Sequence, residues 1–238
     1  MKAMIFAAGL GTRFKPWTDQ HPKALAIVNN KSLLQRNIEY LQEYGIKEVV
    51  VNVHHFADQI IDAVEKNKGW GSHVIISDER DEVLETGGGL LKAQAFLKNE
   101  EPFVTINADI LTNLSLSSLF DFHKEKKALI SFAVSNRNAS RNFLFDTQNR
   151  LCGWENKITS EQKIVINESP LHAMAYSCVA VFEPLVFEFI TQSGKFSLTD
   201  TYLKLAPHHL IQGMDHSGDL FIDVGKPESV AIAEKLFS

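Results

Sequence analysis

The sequence predicts an α/β fold built on a mixed, mainly parallel β-sheet. In the first half of the chain, short apolar runs typical of strands alternate with amphipathic helical patterns. The helical patterns have the length that connects parallel strands in βαβ units. The 238 residues, 45% apolar and 22% charged, suffice for one sizeable core. In such sheets ligands bind at the carboxyl ends of the strands.

The first half supplies the parallel strands and their connecting helices. Helix-like spacing of Leu34, Ile38 and Leu41 predicts a helix over residues 32–44. Ser32 followed three residues later by Gln35 matches a capping box at its start. A second apolar stripe predicts a helix over residues 57–67. The strand-like runs are residues 3–8, 48–53, 73–77 and 102–107.

The second half is less regular and predicts a smaller antiparallel portion. Residues 128–134 and 172–182 are typical of strands, and residues 144–166 of short strands joined by polar turns. Residues 184–192 and 227–237 each begin with a proline and are predicted to be helices. The sequence has neither an internal repeat nor a flexible linker, so we expect one domain over residues 1–238.

Composition restricts the class of protein. A net charge of −5 and a pI near 6.0 argue against a partner bound through a general basic surface, so we expect no nucleic acid. No apolar run reaches the length of a membrane span, so no membrane association is expected. The two cysteines, Cys152 and Cys178, form no CxxC motif. A reducing cytoplasm is the expected location.

The segment "FAAGLGTRFKPWTDQHPKAL" follows the first predicted strand and indicates phosphate binding. Glycines at 9 and 11 allow backbone N–H groups to approach an anion, while Arg13 and Lys23 supply positive charge. The segment matches neither common phosphate loop. Phe14 occupies the third glycine position of a dinucleotide loop, and Thr12 stands where a Walker loop has lysine.

A second glycine-rich segment, "ETGGGLLKA", begins at Glu85. We expect its three glycines to form a loop that precedes a helix. The loop could be a flexible turn, or it could let the backbone approach a flat ligand such as a nucleobase. A second glycine loop in the same half favours the ligand.

Two predicted strands end in an aspartate, Asp109 in "NAD" and Asp223 in "FIDVG". Carboxylates at the carboxyl ends of strands face the expected ligand. Beside a polyphosphate they would repel it unless a divalent cation such as Mg²⁺ intervened. Each aspartate could instead cap a helix or a turn.

Together these motifs resemble the sugar-1-phosphate nucleotidyltransferases, whose opening signature is AAGxGTRxxPxT…PKxL. "ETGGG", "NAD" and "DVGKPES" resemble the later blocks of that family, in the same order. The resemblance covers essentially the whole chain. It implies a Rossmann-like three-layer α/β sandwich and a reaction of an NTP with a sugar 1-phosphate that gives an NDP-sugar and pyrophosphate.

The resemblance also implies roles for individual residues. Residues 1–110 would bind the nucleotide and residues 111–238 the sugar phosphate, in a monomer or homodimer. Arg13, Lys23 and Asp109 would be catalytic, with Asp109 and Asp223 holding Mg²⁺. The nucleotide would contact Ala8, Gly9, Gly11, Thr12, Arg13, Glu85, Thr86, Gly87, Gly88 and Asn107. The sugar phosphate would contact Lys23, Glu155, Lys157, Ser177 and Asp200.

The sequence leaves the substrate open. "ETGGG" on a short chain is most similar to N-acetylmuramate-1-phosphate uridylyltransferases, which favours UTP and an N-acetylated or related hexose 1-phosphate. Short mannose- and heptose-1-phosphate guanylyltransferase-like members come next. Cys178 stands where many members have glycine, and Phe221 where tryptophan is usual. A phosphocholine cytidylyltransferase using Trp154 and Glu155, an NDP-sugar glycosyltransferase and a non-catalytic nucleotide-sugar sensor are the alternatives.

Overall fold

The computed structural model describes residues 1–237. In chain order the strands are β1 (Lys2–Phe6), β2 (Ile27–Val28), β3 (Lys31–Ser32), β4 (Glu48–Val53), β5 (His73–Asp78), β6 (Phe103–Asn107), β7 (Ile110–Thr112), β8 (Ile130–Ser135), β9 (Arg141–Phe145), β10 (Leu151–Asn156), β11 (Glu161–Ile164), β12 (His172–Phe182), β13 (Ile211–Asp215) and β14 (Phe221–Asp223). The α-helices are α1 (Leu33–Glu43), α2 (Ala57–Lys66), α3 (Glu85–Lys92), α4 (Gln94–Leu97), α5 (Leu116–Lys126), α6 (Val186–Phe189), α7 (Leu198–Leu205) and α8 (Glu228–Leu236).

A 10-stranded sheet runs through both halves of the chain. Strands β5, β4, β1 and β6 lie side by side and are parallel. The long strand β12 runs antiparallel to β6 and continues beyond it to pair with β9. Strands β9, β10 and β11 form an antiparallel extension, and β8 with β13 completes the far edge. The mixed, mainly parallel sheet with an antiparallel portion is therefore confirmed.

Helices cover both faces of the sheet, which gives three layers. Alternate residues of β1 point to opposite faces, as the pleat requires. Ile5 packs in one core with Leu34 and Ile38 of α1. Met4 packs in the other core with Leu90 of α3 and Tyr202 of α7.

The predicted start of α1 is confirmed in detail. The Ser32 hydroxyl accepts a hydrogen bond from the backbone N–H of Gln35 at 3.1 Å, which is the N-cap that the sequence indicated. Strand β4 and strand β12 have the predicted bounds. None of the helices within residues 1–237 is long and apolar enough to cross a bilayer.

Two predictions of local structure are wrong. Gly87, Gly88 and Gly89 do not precede a helix but lie inside α3, where they are buried. Their backbones pack against neighbours that leave no room for a side chain, so close packing outweighs the low helix propensity of glycine. The helix predicted over residues 184–192 is only the short α6, because the chain turns to an extended conformation at Ile190.

Candidate active site

The glycine-rich segment after β1 forms a compact loop at the carboxyl end of the parallel strands. The loop turns through three short 3₁₀ segments, Thr12–Phe14, Trp17–Asp19 and Lys23–Leu25. Gly11 has a φ of 61°, and a β-carbon there would lie 2.9 Å from Cγ2 of Thr18. The Thr18 hydroxyl also donates to the Gly11 carbonyl at 2.9 Å. Only glycine fits at position 11 without moving the residues that close the loop.

The two cations of the loop reach the two aspartates predicted from the strand ends. The Lys23 ammonium forms an ion pair with Oδ2 of Asp109, and both side chains are largely buried. A guanidinium nitrogen of Arg13 lies 3.8 Å from Oδ2 of Asp223, and both of these side chains are more exposed. The loop therefore brings two positive and two negative groups to one end of the sheet.

The pairing of β7 with β14 holds the two aspartates together. Asp223 lies opposite Ile110 in this antiparallel pair, and the backbone N–H of Val224 donates to the Asp109 carbonyl at 2.9 Å. Partial burial and the negative charge of Asp109 raise the pKa of Asp223, while the nearby cations Lys23, Arg13 and Arg137 lower it. The charge of Asp109 therefore disfavours ionisation of Asp223.

This carboxylate pair fits a hard divalent cation. Mg²⁺ is commonly held by one or two carboxylates together with phosphate oxygens of a substrate. Residues 1–237 contain no group of three or more His, Cys, Asp or Glu side chains placed to hold a metal ion. Asp109 and Asp223 alone would leave the remaining ligands of such an ion to be supplied by substrate oxygens or water.

Gly225 allows Arg13 and Asp223 to approach each other. A β-carbon at position 225 would lie 2.8 Å from Oδ1 of Asp223 and 3.2 Å from a guanidinium nitrogen of Arg13. Gly225 itself is buried and lines the cavity beside the glycine-rich loop. The glycine of "DVGKPES" therefore has a packing role at the charged end of the site.

Two adjoining cavities make up the cleft. The first, of about 260 Å³, is lined by Gly9, Gly11, Thr12, Arg13, Lys23, Thr86, Asn107, Asp109 and Gly225, among others. The second, of about 270 Å³, is lined by Phe6, Ala8, Gly9, Asn52, Val83, Glu85 and Thr86. Phe6, Gly9 and Thr86 line both. The charged groups are concentrated in the first cavity, and the second is mainly apolar.

Gly87 and Gly88 of the predicted nucleotide contacts face away from these cavities. A β-carbon on Gly87 would lie 2.4 Å from the ring of Phe196, and one on Gly88 would lie 2.3 Å from the carbonyl oxygen of Gly194. The Phe196 carbonyl also accepts hydrogen bonds from the N–H groups of both glycines. These glycines let the chain near Phe196 pack against α3, which carries Glu85 and Thr86.

The predicted sugar-phosphate contacts other than Lys23 lie outside the first cavity. Glu155 on β10 accepts a hydrogen bond from Asn142 at 3.2 Å, and the Lys157 ammonium lies 3.8 Å from it. Asp200 sits in the first turn of α7, where it accepts from Ser197 and lies 3.7 Å from the Lys163 ammonium. The structure does not bring Asp200 to the aspartate pair, since it lines a separate depression with Lys163.

Ser177 is fully buried behind the cleft. Its hydroxyl is held by Arg137 at 2.9 Å and by Nε2 of His216 at 2.7 Å. Arg137 also donates to the Tyr176 carbonyl and stacks on the ring of Phe221, 4.1 Å from its centre. These contacts brace β12 against the strand that ends in Asp223.

Cys178, next to Ser177, occupies an unusual backbone conformation. Its φ is 57°, and the register of β12 against β8 shifts between Tyr176 and Ala180. The thiol lies close enough to Asp109 and Asp223 for their charges to act on it. Burial and the charge of Asp109 raise the pKa of Cys178 to about 12, so the thiol stays protonated at neutral pH.

Sequence reasoning missed Asn52 and Arg137. Asn52 lines the second cavity from the end of β4. Its signal was a single polar residue inside the apolar run "VVVNV". Arg137 follows β8 in a polar turn and carried no signal of its own.

Comparison with known proteins agrees with this architecture. An N-acetylmuramate alpha-1-phosphate uridylyltransferase of Caulobacter vibrioides is 44% identical over 110 residues, which is 45% of each chain. The enzyme of the same name from Neisseria meningitidis is 27% identical over 94% of this chain and 93% of its own. A D-glycero-alpha-D-manno-heptose 1-phosphate guanylyltransferase of Campylobacter jejuni is 30% identical over 96% of both.

Solved structures share the fold. HddC from Yersinia pseudotuberculosis, solved with GMP-PN, superimposes with a TM-score of 0.79 at 22% identity, covering 100% of this chain and 99% of that one. The profile of the family described as nucleotidyl transferase matches residues 2–236. Because the match spans nearly the whole sequence, the chain belongs to the nucleotidyl transferase family.

Proposed function

We propose that this protein transfers a nucleotidyl group from an NTP to a sugar 1-phosphate, which yields an NDP-sugar and pyrophosphate. The observation that carries the proposal is the meeting of Arg13, Lys23, Asp109 and Asp223 at one end of a cleft lined by a glycine-rich loop. Two polyanions must meet in this reaction, and this set of charges is suited to holding both.

The chemistry requires positioning and charge stabilisation. An oxygen of the sugar phosphate attacks the α-phosphorus of the NTP, and the bond to the β-phosphate breaks, so that pyrophosphate leaves. Lys23, which is largely buried, is placed to stabilise negative charge on the α-phosphate and on the incoming phosphate. The exposed fork of Arg13 is suited to the oxygens of the departing pyrophosphate. No protein nucleophile is needed.

The carboxylates of Asp109 and Asp223 are proposed to hold Mg²⁺. The ion would neutralise phosphate charge beside the two carboxylates. Asp109 has a second function in this proposal, because its ion pair fixes the Lys23 ammonium at the cleft.

The two cavities suggest how the substrates are divided. The apolar cavity beside Glu85 and Thr86 is proposed to hold the nucleobase and the charged cavity the phosphates. Glu155 and Lys157 on the antiparallel extension are proposed to contact the sugar. Residues 1–110 then form the nucleotide half and residues 111–238 the acceptor half of one domain.

We propose UTP and an N-acetylated or related hexose 1-phosphate as the substrates, since two relatives with that class of activity are among the most similar. A guanylyltransferase acting on a mannose or heptose 1-phosphate is the second candidate, supported by the heptose relative at 30% identity. A phosphocholine acceptor is less well supported, because the Lys163 ammonium already lies 5.5 Å from the centre of the Trp154 ring.

A pyrophosphate-release assay tests the proposal. Each of UTP, GTP, CTP and dTTP is combined with one acceptor at a time. The acceptors are phosphocholine and the 1-phosphates of glucose, N-acetylglucosamine, N-acetylmuramic acid, mannose and heptose. Every pair is measured once in the presence of Mg²⁺ and once in the presence of EDTA. We expect release with one NTP and one class of sugar phosphate, abolished by EDTA. Tight nucleotide binding without release for any pair would refute the proposal and support a nucleotide-sugar sensor.

Two substitutions test the assigned residues. Lys23→Ala and Asp109→Ala are each expected to lower turnover by on the order of 10²-fold or more, because each removes a group that offsets phosphate charge. Lys15→Ala is the matched control, since Lys15 belongs to the same loop but pairs with Asp19 at 2.9 Å on the surface. Near wild-type turnover in the folded Lys23 and Asp109 variants would contradict the assignment.

A further inference from the structure

A buried chain of polar groups lies beneath the second cavity. The side-chain oxygen of Asn52 accepts a hydrogen bond from the backbone N–H of Ala7 at 2.7 Å. The side-chain nitrogen of Asn52 donates to Oε1 of Glu79 at 2.8 Å. Asn52 is 2% exposed and Glu79 is 1% exposed, so no solvent competes for these bonds.

The contact to Ala7 lies where the glycine-rich loop leaves the sheet. Strand β1 ends at Phe6, whose partners in the neighbouring strands are Asn52 and Asn107. Past that point the β1–β4 pairing ends, and the Asn52 side chain takes up the next N–H of the chain. The bond therefore sets the direction in which Ala8 and Gly9 enter the cleft.

Glu79 determines which way the Asn52 amide is turned. An asparagine amide presents an acceptor on one side and donors on the other. The carboxylate of Glu79 requires a donor, so the oxygen of Asn52 is left to face Ala7. In the flipped orientation, the Asn52 oxygen would face a carboxylate, and two N–H donors would face each other.

Helix α3 packs directly on this hydrogen bond. A β-carbon on Gly89 would lie 2.7 Å from Oε1 of Glu79 and 2.9 Å from the side-chain nitrogen of Asn52. The same helix carries Glu85 and Thr86, which line the second cavity. These hydrogen bonds thus connect the glycine-rich loop with β4 and lie against α3, and all three elements contribute residues to the lining of that cavity.

Glu79 is an unusual residue to find in such a place. Its second carboxylate oxygen makes no hydrogen bond of ordinary length among residues 1–237. Burial raises the pKa of Glu79, and the hydrogen bond from Asn52 and the backbone N–H of Leu84 oppose that shift. A carboxyl group is costly to bury, and an apolar residue would fill the same space without that cost. Its retention in the fold is explained if its polarity orients Asn52.

We infer that Glu79 and Asn52 are positioning residues for the NTP, which act through the Ala7 N–H to hold the glycine-rich loop in its binding conformation. The inference rests on the proposed function for the identity of the ligand. Neither residue needs to touch the reacting phosphates. Their loss should weaken NTP binding and leave the affinity for the sugar phosphate nearly unchanged.

The test is calorimetric binding of UTP and of GTP with Mg²⁺ to the full chain. Asn52→Ala leaves the buried Ala7 N–H without a partner, so we expect its Kd for the better-bound NTP to rise about tenfold or more. Glu79→Ala should weaken binding similarly, and Glu79→Gln should recover most of the loss, because its amide oxygen still accepts from Asn52. Ser131→Ala removes a comparably buried polar contact to His123, outside the residues that line the cleft, and should leave the Kd unchanged.

A double variant that exchanges the donor and the acceptor between positions 52 and 79 distinguishes an effect of side-chain orientation from a general loss of stability. Asn52→Asp places a second carboxyl against Glu79, and the pair keeps a hydrogen bond only while it holds a proton, so NTP binding should weaken as the pH is raised. The double variant Asn52→Asp/Glu79→Gln restores a donor opposite an acceptor, so its Kd should return to within about threefold of wild type. If the double variant binds NTP no better than Asn52→Asp, or if folded Asn52→Ala binds NTP as wild type does, the inference is overturned. Binding without pyrophosphate release by the wild type would instead refute the proposed reaction.

Discussion

Replacing Gly225 with alanine tests whether the contact between Arg13 and Asp223 matters for turnover. The added methyl would lie 2.8 Å from Oδ1 of Asp223, whereas ordinary contacts begin near 3.4 Å, so the carboxylate must move by about 0.6 Å. The Arg13 guanidinium, at 3.2 Å, must move by about 0.2 Å. Both atoms lie at the ends of flexible, partly exposed side chains, which can move without disturbing the core.

The expected result is a loss of rate with little loss of stability. A displacement of about 1 Å in a reacting assembly can cost about 10²-fold, so we expect Gly225→Ala to lower turnover by roughly 10-fold to 10²-fold. Its Tm should stay within about 2 °C of wild type, because surface side chains absorb the change. Turnover is measured by pyrophosphate release and Tm by thermal unfolding.

Gly218→Ala is the matched control. A β-carbon on Gly218 would meet open space, with no atom beyond its chain neighbours within 4 Å, so the substitution should change neither turnover nor Tm. Wild-type turnover in Gly225→Ala would show that the placement of Arg13 and Asp223 is unimportant. A large fall in Tm would show that the methyl disturbs the core rather than the site.

Three further predictions concern packing and protonation. Gly87→Ala should lower the Tm by on the order of 5 °C, because its methyl would lie 2.4 Å from the Phe196 ring; a Tm equal to that of Gly218→Ala would contradict this. Cys178 should react with iodoacetamide at pH 8 far more slowly than a free thiol, since burial raises its pKa to about 12; mass spectrometry showing rapid labelling would refute it. Burial lowers the pKa of His123 in the folded state, so protonation favours the unfolded chain. Stability should therefore fall as the pH drops below about 6.5, and the fall should be shallower in His123→Gln; equally steep Tm profiles would oppose this.

The first half of the fold was predictable because each element has a local signal. Apolar spacing and the Ser32 cap determine α1, and the run of β-branched residues Val49–Val51 determines β4. The helical conformation of the three glycines of α3 could not be predicted from such local signals. Glycine disfavours a helix by about 1 kcal/mol, and its use there is explained by close neighbours that lie far along the chain, such as Phe196 beside Gly87, Gly194 beside Gly88 and Asn52 beside Gly89.

The charged half of the candidate site was also predictable, since its residues follow strands whose carboxyl ends meet. The residues on the sugar-phosphate side were harder to predict, because the direction of a side chain on a strand depends on the register of that strand in the sheet. The bulge at Cys178 shifts the alternation of β12, and simple alternation does not reveal that Ser177 lies fully behind the cleft. Asp200 belongs to the helix cap formed by Ser197, a local motif that accounts for its position in the first turn of α7.

The proposed reaction requires that the bond between the α- and β-phosphates breaks while the α-phosphate joins the sugar phosphate. Incubation with NTP labelled with ³²P at the α- or the γ-position, together with the sugar phosphate selected by the release assay, tests this directly. We expect the α-label to appear in the NDP-sugar and the γ-label in pyrophosphate, in equal amounts. Release of the γ-label as orthophosphate, or an α-label that stays in unchanged NTP, would contradict the proposed reaction.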